Sequence, residues 1–154
     1  MTNSSIESRL KKFGIIIPEA MSSIANYTTV SQSGKQLFVS GQLPLINGKP
    51  IAIGKVGATV SVEQAKKSAE VCALNILAQI KLFLGDLNKI EHIVKITVFV
   101  AVDHNFTDVP LVANGASDLL IKVLGEAGKH ARSAIGVTSL PMGAPVEVEA
   151  IIEI

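Results

Sequence analysis

Residues Ile93–Val102, with the sequence IVKITVFVAV, constrain the fold more than any other stretch of the chain. Their β-branched and aromatic content favours a strand, whose side chains alternate between the two faces of a sheet. Apolar residues occupy nearly every position on both faces, and Lys95 and Thr97 are the exceptions. Such a strand is central, so protein has to cover it on both sides. We therefore expect helices on one face of the sheet and a second covering layer on the other.

Two alternating strands, 131–138 and 146–154, end the chain. In the last strand the apolar residues at even positions share one face, and Glu147 lies on the other. In the strand before it, Ile135 belongs to the face that looks apolar, and Arg132 lies opposite. If both apolar faces pack on one core, Arg132 and Glu147 lie together on the opposite face of the sheet. Charged side chains on a solvated strand face are ordinary, so spacing alone favours a solvated face.

Two long segments combine helical spacing of apolar residues with start and stop signals. The first has a capping box at Ser61 and Gln64 and a stop at Gly85. The second runs from Asp108 to about Gly125, with a proline tolerated in its first turn. Both stripes predict helices that cover one face of the sheet.

The N-terminal region, 1–18, is predicted to be a short helix and a linker. The helix runs from Ser4 to Phe13, with Ser4 or Ser5 as its cap and Gly14 as its end.

A hairpin around Ser33-Gly34 joins predicted strands 27–32 and 36–40, and Asn47-Gly48 marks a turn in the loop that follows. The element order after the N-terminal helix is therefore β-β-α-β-α-β-β. This order predicts a single α+β domain, 1–154, with one sheet and both long helices on one of its faces.

Composition excludes several classes of function. The net charge is +1, with one tyrosine and no tryptophan, so the chain lacks the basic and aromatic surface that nucleic-acid binding needs. Cys72 is the single cysteine, which fits a reducing compartment, and no signal-peptide or membrane-spanning stretch is evident. We therefore expect a cytoplasmic protein. The three histidines lack ligand spacing, and no phosphate-binding glycine motif or nucleophile elbow occurs.

Three motifs resemble, in their order, the signature of the YjgF/RidA family, the reactive-intermediate enamine/imine deaminases. They are LFVSGQLP at 37–44, IVKITVFV at 93–100, and ARSAI followed by LP and VEVEAI between 131 and 151. The resemblance covers the chain from about Tyr27 to its last residue. It implies a chorismate-mutase-like α+β fold assembled as a homotrimer, with the helices outside and ligand clefts between subunits.

The resemblance also implies a reaction. Water attacks the imine tautomer of a 2-aminoacrylate-type compound, giving a 2-keto acid and ammonia without a cofactor or metal. Arg132 matches the family arginine that grips the substrate carboxylate, a task suited to a planar fork of donors. Glu147 matches the glutamate that positions the attacking water. The other matching substrate-binding positions are Tyr27, Ser40, Gly41 and Asn114.

The chain departs from the short family members at several points. Ala134 stands where the family often has cysteine, the segments 44–57 and 103–110 are longer, and the N-terminal helix is additional. These features indicate a longer subgroup, and the sequence does not specify its physiological substrate. Two alternatives remain open: a non-catalytic member that binds a small carboxylate ligand at Arg132, and an endoribonuclease, the name that some relatives carry. Family membership alone does not decide between them.

Overall fold

A computed structural model describes residues 5–23 and 25–154. Within these residues, three helices and seven strands follow one another: α1 Ile6–Phe13, β1 Val30–Ser33, β2 Gln36–Gln42, β3 Leu45–Ile46, β4 Lys49–Pro50, α2 Val62–Leu84, β5 His92–Ala101, α3 Val109–Leu124, β6 Ala131–Val137 and β7 Val146–Glu153. The predicted α+β class and the order of the long elements are confirmed. The hairpin of β3 and β4 is an addition, formed because Asn47 and Gly48 both adopt positive φ angles, of 52° and 77°.

The main sheet has the strand order β1-β2-β7-β5-β6. β5 and β6 pair in parallel, and every other neighbouring pair of this sheet is antiparallel. β5 therefore lies inside the sheet, as its apolar sequence predicts. Helices α2 and α3 pack together over one face, α2 against β7 and α3 against β5 and β6. The even-numbered side chains of β7, such as Val148 and Ile152, are buried on this face.

Capping and close backbone contact shape the helical layer. Ser61 and Gln64 form the predicted capping box of α2, and Ser5 caps α1, whereas Ser4 lies outside the described residues. Asp108 precedes α3 as predicted, but its side chain makes no capping hydrogen bond. A Cβ at Gly115 would overlap the backbone carbonyl of Lys66, so this glycine lets α3 approach α2 closely.

The second face of the sheet, which we call the open face, carries a mixture of apolar and charged side chains. Register places Glu147, Phe99 and Ile135 in one row across β7, β5 and β6, and Glu149 and Thr97 in the next row. Ile135 is 43% exposed, and so large an apolar side chain is left in contact with solvent in a single chain. The open face thus has the mixed character expected of an interface between subunits.

The predicted assignment of the two faces of β6 is wrong. Parallel pairing sets Arg132 opposite the buried Ile96 and Ile135 opposite Phe99, so Arg132 lies on the helix-covered face and Ile135 on the open face. The reason is the space beneath α3: a Cβ at Gly136, on the same face as Arg132, would already touch side chains of the core. Ala134 and Gly136 therefore share the covered face with Arg132, and the larger apolar residue Ile135 points the other way.

Candidate functional site

The first part of the site surrounds Glu147 on the open face. β2 and β7 lose their regular register between Val39 and Gln42, which places Gly41 at an irregularity beside Glu147. A Cβ at Gly41 would overlap the Glu147 carboxylate. The glycine therefore lets this carboxylate lie directly against the backbone of β2.

The polar groups of this first part lack protein partners. Partial burial raises the pKa of the Glu147 carboxyl, and the neighbouring Glu149 carboxylate adds to the rise. Among the described residues no hydrogen bond to the Glu147 carboxylate is formed, and the buried Ser40 hydroxyl also has no partner. Buried polar groups are normally satisfied, so an unpaired carboxylate and hydroxyl on neighbouring strands suit water or a polar ligand. A carboxylate with a raised pKa is also a better proton acceptor.

The second part of the site surrounds Arg132 at the start of β6. Its Nη1 donates to Asn114 Oδ1 at 2.8 Å and to Ser117 Oγ at 3.2 Å, both on α3. No carboxylate within the described ranges pairs with this partly buried guanidinium. Within one chain, neither Glu147 nor Glu149 is a partner of Arg132. A positive charge held by neutral groups alone suits an anionic ligand.

The two parts are separate within one chain. β5 lies between β7, which carries Glu147, and β6, which carries Arg132, and the two side chains project from opposite faces of the sheet. The fold therefore brings together Ser40, Gly41 and Glu147, and independently Asn114 and Arg132. We call these the Glu147 half-site and the Arg132 half-site.

Tyr27 lies in neither half-site. The predicted strand 27–32 begins only at Val30, because the Ser23 hydroxyl donates to the Tyr27 carbonyl at 2.8 Å and Tyr27 N–H donates to Ala25 O at 2.9 Å. These bonds hold the segment in tight bends. The Tyr27 side chain is half exposed beside Phe83 at the end of α2.

Sequence reasoning missed two polar residues of the Arg132 half-site, Ser117 and His130. Ser117 is buried on α3, and its hydroxyl lies 2.8 Å from His130 Nε2. The available signal was the spacing of Asn114 and Ser117, since residues three apart share one face of a helix. A buried serine on that face needs a partner, and a polar residue beside Arg132 could supply it.

Other chemistry finds little support in the described part of the chain. No group of three potential metal ligands occurs there, and none of its helices is long and apolar enough to cross a membrane. Burial raises the pKa of the Cys72 thiol well above its usual range, and the Glu147 carboxylate adds to the rise. Cys72 is therefore a protonated core residue rather than an activated nucleophile.

The chain matches known proteins over almost its whole length. A family described as "YjgF/chorismate mutase-like, putative endoribonuclease" matches residues 7–153. The chain therefore belongs to the YjgF family, which its fold and motifs indicate. Protein TCP17 of Trypanosoma cruzi is 43% identical over 150 residues, which cover 97% of this chain and 94% of that protein.

Solved structures show the same fold. The crystal structure of an Agrobacterium tumefaciens protein of unknown function is 51% identical with a TM-score of 0.90, and the match covers 97% of this chain and 92% of that one. The structure of Escherichia coli TdcF with bound serine is 25% identical with a TM-score of 0.64, and the match covers 88% of this chain and 94% of that one. The chorismate-mutase-like α+β fold is thus common to this chain and its relatives.

Proposed function

We propose that the protein hydrolyses reactive imines or enamines of small carboxylic acids, of the 2-aminoacrylate type, to 2-keto acids and ammonia. The observation that carries the proposal is the pair of half-sites: an unpaired carboxylate with a raised pKa, and a guanidinium without a carboxylate partner. One group suits proton transfer and the other suits carboxylate binding. The serine bound in the structure of TdcF supports a carboxylate-bearing ligand.

Arg132 binds the substrate in this mechanism. Its guanidinium pairs with the substrate carboxylate through two parallel hydrogen bonds, which fix the plane of the adjacent imine. The contacts of Nη1 with α3 already hold the side chain in place, so little side-chain freedom is lost on binding.

Glu147 activates the water. Its carboxylate accepts a proton from a water molecule as the water oxygen attacks the imine carbon, and it returns this proton to the nitrogen. The resulting tetrahedral adduct carries a hydroxyl and an amino group on one carbon. As its carbon–nitrogen bond breaks, the hydroxyl proton passes through Glu147 to the nitrogen, which releases ammonia and leaves the 2-keto acid. The reaction consumes one water and needs neither an oxidant nor a cofactor.

Assembly completes the site in this proposal. The half-sites of one chain lie on opposite faces of the sheet, so one chain alone cannot join them. Because β6 is an edge strand, the Arg132 half-site lies at the rim of the sheet, where a second copy packed on the open face can bring its own Glu147 half-site. We propose a homotrimer in which the open faces meet and bury Phe38, Phe99 and Ile135. Light scattering after gel filtration should give three times the chain mass at micromolar concentration. A stable monomer would remove both the assembly and the shared site.

A coupled assay tests the reaction. An amino-acid oxidase generates the imine in place, and semicarbazide competes with the protein for it, so the protein should reduce semicarbazone formation and speed the release of keto acid. Carboxylate binding without any acceleration would instead favour the ligand-binding alternative.

The description of the matching family includes the word endoribonuclease, so ribonuclease activity has to be tested as the alternative. The charge of +1 and the scarcity of aromatic residues argue against it. Salt-sensitive binding and cleavage of a single-stranded RNA by the wild type, lost in Glu147→Gln, would favour the nuclease over the deaminase.

A further inference from the structure

A chain of hydrogen bonds, which we call the relay, connects the Gly128 carbonyl to Arg132 through His130 and Ser117. His130 Nδ1 lies 2.6 Å from the carbonyl oxygen of Gly128, and His130 Nε2 lies 2.8 Å from Ser117 Oγ. Ser117 Oγ in turn accepts a hydrogen bond of 3.2 Å from Arg132 Nη1. The side chains of His130 and Ser117 thus connect a backbone carbonyl to the Arg132 guanidinium.

The chemistry of these groups fixes the direction of each bond. A carbonyl oxygen can only accept, so His130 Nδ1 donates to Gly128. In the neutral ring, Nε2 then carries a lone pair and accepts the hydroxyl hydrogen of Ser117. The Ser117 oxygen keeps its own lone pairs for the Arg132 N–H group. The hydroxyl therefore cannot rotate without breaking a bond.

These bonds determine which edge of the guanidinium is free. Arg132 Nη1 has two hydrogens, and Asn114 Oδ1 and Ser117 Oγ accept both. In the described part of the protein, Nε and Nη2 have no partner. They lie on one edge of the planar group and present two parallel donors, the arrangement that a carboxylate accepts.

We propose that Ser117 and His130 are positioning residues, which hold Arg132 with its Nε–Nη2 edge toward the substrate carboxylate. This inference rests on the proposed function, in which Arg132 binds that carboxylate. The relay has a rigid starting point, because Gly128 lies against the backbone of α3 where a Cβ would overlap the carbonyl of Leu120. The position of Gly128 O is therefore set by the packing of its turn on α3.

Two substitutions of His130 separate its two bonds. In His130→Gln the side-chain oxygen can take the place of Nε2 and accept from Ser117, but the bond to Gly128 is lost. In His130→Asn the amide nitrogen can take the place of Nδ1 and donate to Gly128, but the acceptor for Ser117 is lost. Ser117→Ala breaks the relay in the middle. Lys129→Ala is the control, because the Lys129 ammonium pairs with the exposed Glu126 and takes no part in this network within the described residues.

Binding is measured by calorimetry with pyruvate, the smallest 2-keto acid of the proposed product class, and with its uncharged amide. We expect Kd for pyruvate to rise about tenfold in His130→Asn and Ser117→Ala, to rise less in His130→Gln, which keeps the acceptor for Ser117 but loses its anchor on Gly128, and to stay within about twofold of the wild type in Lys129→Ala. Kd for the amide should change little in every variant. A variant that is merely less stable should lose affinity for pyruvate and for the amide to the same extent.

The tautomer of His130 is a readout that needs no ligand. Nitrogen NMR of the imidazoles should show His130 protonated at Nδ1, with His92 and the exposed His104 as internal references. The Nε2 resonance should shift in Ser117→Ala. Protonation at Nε2, or equal losses of pyruvate affinity in His130→Gln and His130→Asn, would overturn the relay. A wild type that shows the expected tautomer but binds no pyruvate would contradict the proposed function and leave the relay standing.

Discussion

The two half-sites differ in how the protein treats their charged groups. Arg132 is held by Asn114 and Ser117, and His130 continues the network. Glu147 receives no such support: its carboxylate lies against Gly41 without a hydrogen bond from the described residues, and its pKa is raised by burial. One charge is held in a fixed orientation, and the other is kept partly desolvated.

The difference fits the roles that we propose for the two groups. A side chain that binds a carboxylate gains from being fixed beforehand, because less freedom is lost on binding. A side chain that accepts a proton gains from weak solvation, because hydrogen bonds to its charged form would lower its pKa and its basicity. Substitutions in the two half-sites should therefore have different consequences.

The largest effect is expected from Glu147→Gln, which keeps the shape of the side chain but removes its ability to accept a proton. General base catalysis contributes about 10²- to 10⁴-fold, so the deaminase rate should fall by that factor. The trimer mass and the affinity for pyruvate should not change. Glu153→Gln, on the same face of β7 but paired with His92, is the matched control. Full activity in Glu147→Gln would exclude Glu147 as the base.

Arg132→Ala should weaken transition-state binding by about 2–5 kcal/mol, or roughly thirty- to several-thousand-fold in kcat/KM. Arg132→Lys should restore little, because a point charge cannot form the two parallel bonds. The loss should appear mainly in KM, unlike that of Glu147→Gln, which should appear in kcat. Because Arg132 lies on the helix-covered face and binds α3, we also expect a small loss of thermal stability. Unchanged kinetics in a folded Arg132→Ala trimer would refute the carboxylate clamp.

Two glycine substitutions compare the same added methyl group in two settings. At Gly41 the methyl meets the end of the Glu147 side chain, which can move, so Gly41→Ala should fold normally but lose up to about a hundredfold in rate through misplacement of the carboxylate. At Gly128 it meets the backbone of α3, which cannot easily move. Gly128→Ala should therefore cost about 1–3 kcal/mol of stability, measured by denaturant unfolding. A destabilised Gly41→Ala with normal activity would reverse the interpretation.

The smallest effect concerns pH and stability. The pKa of Glu147 is raised in the folded state, so folding favours its protonated form. The stability gained from protonated Glu147 is fully present below the unfolded pKa of glutamate. It is lost as pH rises through the pKa of the folded state. Glu147→Gln does not titrate, so its melting temperature relative to the wild type should increase as pH rises from about 4, the unfolded pKa, through the raised pKa of the folded state, and then become constant. A difference that is constant across this range would contradict the raised pKa.

Much of the fold was predictable because its signals are local. The capping box at Ser61, the stop at Gly85 and the alternation of β7 each depend on a few neighbouring residues. The orientation of β6 was not predictable in this way. Ile135 suggested the wrong face, because its alternation does not reveal that the space beneath α3 admits only small residues beside Arg132.

The candidate site was predictable only in part. The motifs pointed to Glu147, Gly41, Arg132 and Asn114, which the structure groups into two half-sites, but Tyr27 lies in neither, and no motif pointed to Ser117 or His130. Their separation depends on strand order, which joins β7 to β2 on one side and sets β6 at the far edge. Strand order arises from long-range pairing, and no short motif encodes it.

The N-terminal helix α1 has a consequence for local unfolding. None of its residues is fully buried, although Ile6 and Leu10 pack against the core. Its polar links to the other described residues include two long hydrogen bonds, from Ile6 N–H to Asn88 Oδ1 at 3.3 Å and from Arg9 Nη1 to Lys122 O at 3.4 Å. The Lys122 ammonium also lies over the Phe13 ring. A segment held by such weak and partly exposed contacts can open while the sheet and long helices stay closed. Its amide hydrogens therefore exchange with solvent at a rate set by that opening, largely independent of the denaturant that unfolds α2.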